Sequence, residues 1–228
     1  MKLERTLLYK KPSDHAGLMS LIGLAILCAV FALSQQEYIE FSRYLTANFN
    51  QVFVQHQFWR LFTSPLMHAD IEHLGSNALF FTGLAYLLNG YFGFWVFPIL
   101  SFLSGALINL IVLPMYPADV TIVGASGIVY FMAAFWLTLY IALSRDLPIP
   151  RRLTNALALS FVLFVPESLQ PHVSYLSHAA GFGLGIFAGS FYFALNRVSL
   201  QAHELWSEPE TPPDTFHDLF ECDEICAS

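Results

Sequence analysis

Charge is scarce in this chain. Only 12% of its 228 residues are Asp, Glu, Lys or Arg, against roughly 25% in a soluble domain. Hydrophobic residues make up 56%, and the mean hydropathy is +0.55. A water-soluble fold is excluded, and one integral membrane domain is expected. Basic residues are absent from residues 198–228, a stretch that holds eight of the 17 acidic ones. The formal charge of −7 belongs to that end, because residues 1–197 carry 10 basic and 9 acidic groups. Nothing in this balance favours nucleic acid as a partner.

Cysteine is nearly absent as well. Cys28 lies in an apolar run, and Cys222 and Cys226 lie in the acidic stretch. Three such residues make no disulfide framework. The last two lack further ligands nearby for a zinc site. No metal or cofactor is expected. Three hydrolase signatures are also missing. There is no His-Glu-x-x-His, since His68 and His73 are five apart and fall on different helix faces. No apolar run carries a deep Asp for an aspartyl pair. Gly-x-Ser-x-Gly, the elbow of soluble hydrolases, does not occur.

What is present is a series of apolar runs. A membrane helix needs about 20 mostly apolar residues. Six segments qualify, near 17–34, 72–90, 92–113, 122–143, 153–168 and 174–196. The first is longer than the 7–15 residues of a signal-peptide core and reads as an uncleaved helix. Lys2, Arg5, Lys10, Lys11, Arg145, Arg151, Arg152 and Arg197 fall on one side of this arrangement, and only Arg43 and Arg60 on the other. The positive-inside rule then puts both termini in the cytoplasm. Residues 1–16 form a short basic N-terminus and 17–196 the membrane domain. Residues 197–228, rich in Glu, Asp, Pro and Ser, read as a mobile cytoplasmic tail.

Polar side chains inside a membrane are costly and point to function. His73, Asn77, Ser126 and His178 each fall in the first turns of the second, fourth or sixth span, the three that start outside. They therefore share one depth in the outer half. His73 and Asn77, four apart, share a helix face. His178, Gly181, Gly185 and Gly189 form a stripe along the sixth span, and small residues let helix backbones approach closely. Ser126, Gly127, Ala133 and Ala134 offer a matching surface on the fourth span. Close packing there brings Ser126 toward His178. A serine needs a neighbouring base to act as a nucleophile, and histidine is the usual one. His73, the Asn77 amide and the Ser126 backbone N–H can donate to an oxyanion. No third, acidic member of a triad stands at this depth.

With these residues placed, the chain resembles the rhomboid intramembrane serine proteases over about residues 15–196. The motifs are Trp59-Arg60, "HADIEHLGSN" from His68 to Asn77, "GASG" from Gly124 to Gly127, and "HAAGFGLG" from His178 to Gly185. The resemblance implies an all-α polytopic membrane protein, a six-helix bundle with a long first outer loop. It implies a catalytic dyad of Ser126 and His178, with His73 and Asn77 as oxyanion side chains and Tyr130 stacked on the base. His68 is implied to be structural, tying the loop to a helix, and Trp59 and Arg60 to seat the first loop in the interface. Gly124, Gly127, Gly181 and Gly185 complete the motifs as packing positions. The implied substrates are transmembrane proteins, cut near the outer end of a single span. The implied setting is a lipid bilayer, the bacterial plasma membrane. Two positions depart from the family pattern: Asn89 stands where a Glu is common, and Ser177 where an Ala commonly precedes the base. The alternative is a catalytically inactive relative that binds membrane clients. A transporter is disfavoured, because below the polar level the spans offer mainly Gly, Leu and Phe.

Overall fold

Long apolar runs become helices in a membrane because only there can every backbone N–H and C=O be satisfied within one segment. The computed structural model describes residues 2–35, 41–168 and 174–208; the stretch from 209, with Cys222 and Cys226, lies outside the described residues. The long helices are α1 (Ala16–Ser34), α4 (Ile71–Phe92), α5 (Ser101–Val112), α6 (Ser126–Leu143), α7 (Ile149–Ser168) and α8 (Tyr175–Gln201). Two short ones, α2 (Phe41–Leu45) and α3 (Arg60–Thr63), lie in the first loop. Among the described residues, four helical stretches are long and apolar enough to cross a membrane: Ala16–Ser34, Trp95–Met115, Ser126–Leu143 and Tyr175–Gln201. The chain is an all-α polytopic membrane protein.

α6 is the axis of the bundle. Every residue from Ser126 to Leu137 is buried, as expected of a helix apolar on all faces. α1 buries only the stripe Ala16, Ser20, Gly23 and Leu27. Its other faces expose Leu18, Leu21, Ile22 and Ile26, apolar groups suited to lipid. α8 meets α6 along its glycines. A Cβ at Gly181 would strike the Gly127 carbonyl, and one at Gly185 the Phe131 carbonyl. At Gly189 it would stand 3.1 Å from the Phe135 carbonyl oxygen. Carbonyls four residues apart on one helix thus face glycines about four apart on the other.

Three differences from the expected spans have local causes. The third run is not one straight helix: Phe97 is extended (φ −129°, ψ 125°) just before Pro98, as the residue before a proline favours. The Asn89 amide donates to the Phe97 carbonyl at 2.9 Å, satisfying an oxygen the break leaves free. α7 starts at Ile149 rather than near 153. There the Arg152 guanidinium donates to the carbonyls of Leu147 and Ile141, both at 2.9 Å. α8 runs on to Gln201, helped by an Arg197–Gln201 hydrogen bond of 3.2 Å, so the boundary expected at 197 falls inside a helix.

The two ends of the described chain meet. β1 (Lys2–Arg5) pairs antiparallel with β2 (Leu205–Ser207), a departure from an all-helical plan. Tyr9 donates to Asp146 at 2.7 Å, Lys10 meets His203 at 2.9 Å, and Arg145 pairs with Glu204 at 3.0 Å. The first residues, the α6–α7 turn and the segment after α8 therefore form one end of the molecule. Ser126 begins α6 at the other, about 27 Å away for an 18-residue helix.

Candidate active site

Ser126 is delivered by a tethered segment. Before it, the Ile122 N–H donates to the Ala47 carbonyl at 2.8 Å and the Gly124 N–H to the Ser64 carbonyl at 3.2 Å. The Ala125 N–H donates to Nε2 of His68 at 3.4 Å. The first loop thus grips the chain at three points just before the helix starts. Gly124 sits at φ +114°, a conformation glycine alone adopts readily. A Cβ there would also stand 2.7 and 2.8 Å from Cε1 and Nε2 of the His73 ring. Glycine is required twice at this position, for its backbone angle and for the space that admits His73. Ser126 itself is buried at the first turn of α6, where backbone N–H groups lack helical partners.

His178 reaches the same level through the glycine stripe. It lies one turn before Gly181 and is buried. Its ring stacks on Tyr130, with centroids 4.0 Å apart and planes at 12°. Tyr175 meets it edge-on at 6.4 Å. Tyr130 is one turn after Ser126 on the same helix, so the imidazole stands beside the turn that Ser126 opens. Ser126 and His178 share no hydrogen bond, and Nε2 of His178 is buried without a partner. An unpaired buried nitrogen is unfavourable by about 1–3 kcal/mol. It is also the atom a base would use.

α4 supplies the third side. Its N-cap is Asp70, whose carboxylate accepts the His73 N–H at 2.7 Å, a capping contact worth about 1 kcal/mol. This starts the helix so that His73 lies in its first turn and Asn77 in the next. Asn77 is fully buried and donates one N–H to the His73 carbonyl at 3.0 Å. An amide has two N–H groups, so one remains. The His68 and His73 rings meet at 5.1 Å in a T-shape. A cavity of about 570 Å³ opens over this cluster, lined by His73, Gly124, Ser126 and Gly127, with Ile108 and Asn109 of α5. Asp70, Glu72, Tyr116 and Ser174 also line it. Among the described residues, no three of His, Cys, Asp and Glu cluster as a metal site.

Arg60 is tucked inside the first loop. It is buried, and it donates to Gln57 at 2.5 Å and to the carbonyls of Arg43 and Thr46 at 2.7 and 2.6 Å. Loop carbonyls offer a desolvated guanidinium the acceptors it needs. Trp59 is the exposed member, and its indole N–H donates to the Tyr44 carbonyl at 3.3 Å. Arg60 is a clamp within the first loop. Arg60→Ala would remove the charged donor to both carbonyls, at about 1–3 kcal/mol. Thermal unfolding in detergent should show a midpoint roughly 2–12 °C lower.

Two pairs escaped the sequence reading. Asn109 and Ser64 join the loop to α5 (2.9 Å, buried), and Tyr116 reaches Ser174, the N-cap of α8, at 3.0 Å. A signal existed for Asn109, a polar residue within an apolar span. The hydroxyl pair left none, since Tyr116 lies in a connecting segment and Ser174 at the very start of a span. Ser177, at the other departure from the family pattern, accepts a 2.7 Å hydrogen bond from Ser174.

A family model described as Rhomboid domain matches residues 55–195 of the chain. That interval includes every side chain of the cluster. No curated protein matches the chain.

Proposed function

We propose that this chain, which belongs to the rhomboid family, is an intramembrane serine endopeptidase. The observation that carries the reading is His178, with Nε2 unpartnered, stacked on Tyr130 one turn after Ser126 on a buried helix. In this mechanism the Ser126 hydroxyl passes its proton to Nε2 of His178 as Oγ attacks a peptide carbonyl carbon. The carbonyl oxygen becomes an oxyanion beside the N–H groups that open α6. The free Asn77 N–H and His73 stand by as further donors, each such donor being worth about 2.7–4 kcal/mol. The C–N bond then breaks, and His178 returns its proton to the leaving amine. Water attacks the acyl-Ser126 ester with His178 again as base, freeing the acid product. The stack on Tyr130 orients the ring in place of a triad carboxylate.

The substrate is a single-span membrane protein, cut near the outer end of its helix, where small or helix-breaking residues expose a carbonyl. The six helical segments cross a bacterial plasma membrane with both termini in the cytoplasm. The basic residues Lys10 and Arg145 at the shared end of the bundle support that orientation. An inactive client-binding relative is disfavoured by the presence of Ser126, His178, His73 and Asn77 together. Covalent labelling tests the reading. A fluorophosphonate should add to the purified protein at Ser126, identified by peptide mass. Absence of an adduct under conditions that label a control serine hydrolase would favour the inactive relative.

A further inference from the structure

The oxyanion pocket rests on a buried amide in the wall of the same cavity. Asn109, on α5, is buried and donates through Nδ2 to the Leu61 carbonyl at 3.1 Å and to the Ser64 hydroxyl at 2.9 Å. Ser64 is fully buried, and its own carbonyl accepts the Gly124 N–H at 3.2 Å. Gly124 in turn is the surface on which the His73 ring edge lies, two residues before Ser126. A single path of direct contacts therefore runs from α5 through the first loop to the backbone that seats both His73 and Ser126. α4 and α8 reach the cluster by their own helices, whereas this segment is held through the first loop, at Ala47, Ser64 and His68.

We infer that Asn109 is a positioning residue which, through Ser64, fixes the Gly124 segment and hence the placement of His73 against Ser126. The inference rests on the proposed peptidase reading for its effect on rate, but not for its effect on structure. Without the amide donors, the loop keeps its apolar contacts and loses the two hydrogen bonds that set its height. The Ser64 carbonyl then no longer holds the Gly124 N–H at one distance. A misplacement of about 1 Å at reacting groups can lower a rate about 10²-fold.

Two measurements decide it, made on the full-length protein in detergent and in vesicles. The first is amide hydrogen exchange over residues 120–127 in wild type, Asn109→Leu and Ser64→Ala. The milder Ser64→Ala change guards against a variant that fails to fold. Exchange at Gly124 should be at least about 10-fold faster in both variants, with α6 beyond Tyr130 unchanged. The second is the rate of cleavage of a single-span substrate, per site titrated with fluorophosphonate. Asn109→Leu should lower kcat about 10- to 100-fold with KM within about twofold. The double variant should be no slower than Asn109→Leu alone, since both act on one path. Unchanged exchange at 120–127 would overturn the inference. So would an unchanged kcat per titrated site with a lower melting temperature, or losses that multiply in the double variant. If wild type and Ser126→Ala behave alike toward the substrate, the peptidase reading fails, and the exchange result alone decides the inference.

Discussion

His178→Ala is expected to lower substrate cleavage about 10²–10⁴-fold, the range in which a positioned acid–base group contributes. Without the ring, the Ser126 proton loses the base assigned to it, and the leaving amine loses its donor. The fold should survive. α8 is held to α6 by Gly181, Gly185 and Gly189 against backbone carbonyls, and none of those contacts involves the imidazole. The expected result is a protein with a near-normal melting temperature and little turnover. Tyr130→Ala should give a milder version, since it leaves the base and removes its stacking partner. Cleavage by His178→Ala at wild-type rates would remove histidine from the mechanism.

Gly185→Leu is expected to be the most disruptive single change outside the cluster. A Cβ at this position meets the Phe131 carbonyl and stands 2.7 Å from the Ala134 Cβ. Both belong to the most buried helix, and neither can swing aside as a long side chain would. The helices must separate, and overpacking of this kind typically costs about 1–3 kcal/mol or more. Separation also carries His178 away from Ser126, two turns along. Activity should therefore fall at least about 10²-fold, together with a drop in melting temperature. Gly183 is the internal control. It lies two residues away on the same helix, and a Cβ there meets nothing within 4 Å. Gly183→Ala should leave both activity and stability close to wild type. Equal effects at the two positions would mean that the α6–α8 approach does not depend on glycine.

Much of this arrangement was legible in the residues because it follows simple periodicities. His178 and the glycines below it lie at helical spacing, so one face had to carry them all. Ser126 and Tyr130 are one turn apart, so a ring packed on one had to stand near the other. The level shared by His73, Ser126 and His178 followed from three helices starting on the same side. The remainder depended on non-local partners. Arg60 beside Trp59 suits a membrane interface by type, and only the fold shows the carbonyls of Arg43 and Thr46 around it. Asn109 sits in the run Gly-Ala-Leu-Ile-Asn-Leu-Ile-Val, and its spacing says nothing about a loop 45 residues earlier. The β1–β2 pairing joins residues some 200 apart, and neither segment is long or strongly alternating. The break at Phe97 was marked by Pro98, but an apolar run long enough to span hides a kink from any count of length.

Ser126 is proposed as the nucleophile of a peptidase. The most direct test of that role is cleavage of a single-span membrane protein in vesicles by wild type and by Ser126→Ala, side by side. Two fragments, cut near the outer end of the span, are expected from wild type and none from Ser126→Ala at equal protein. Equal cleavage by the two proteins would contradict that role.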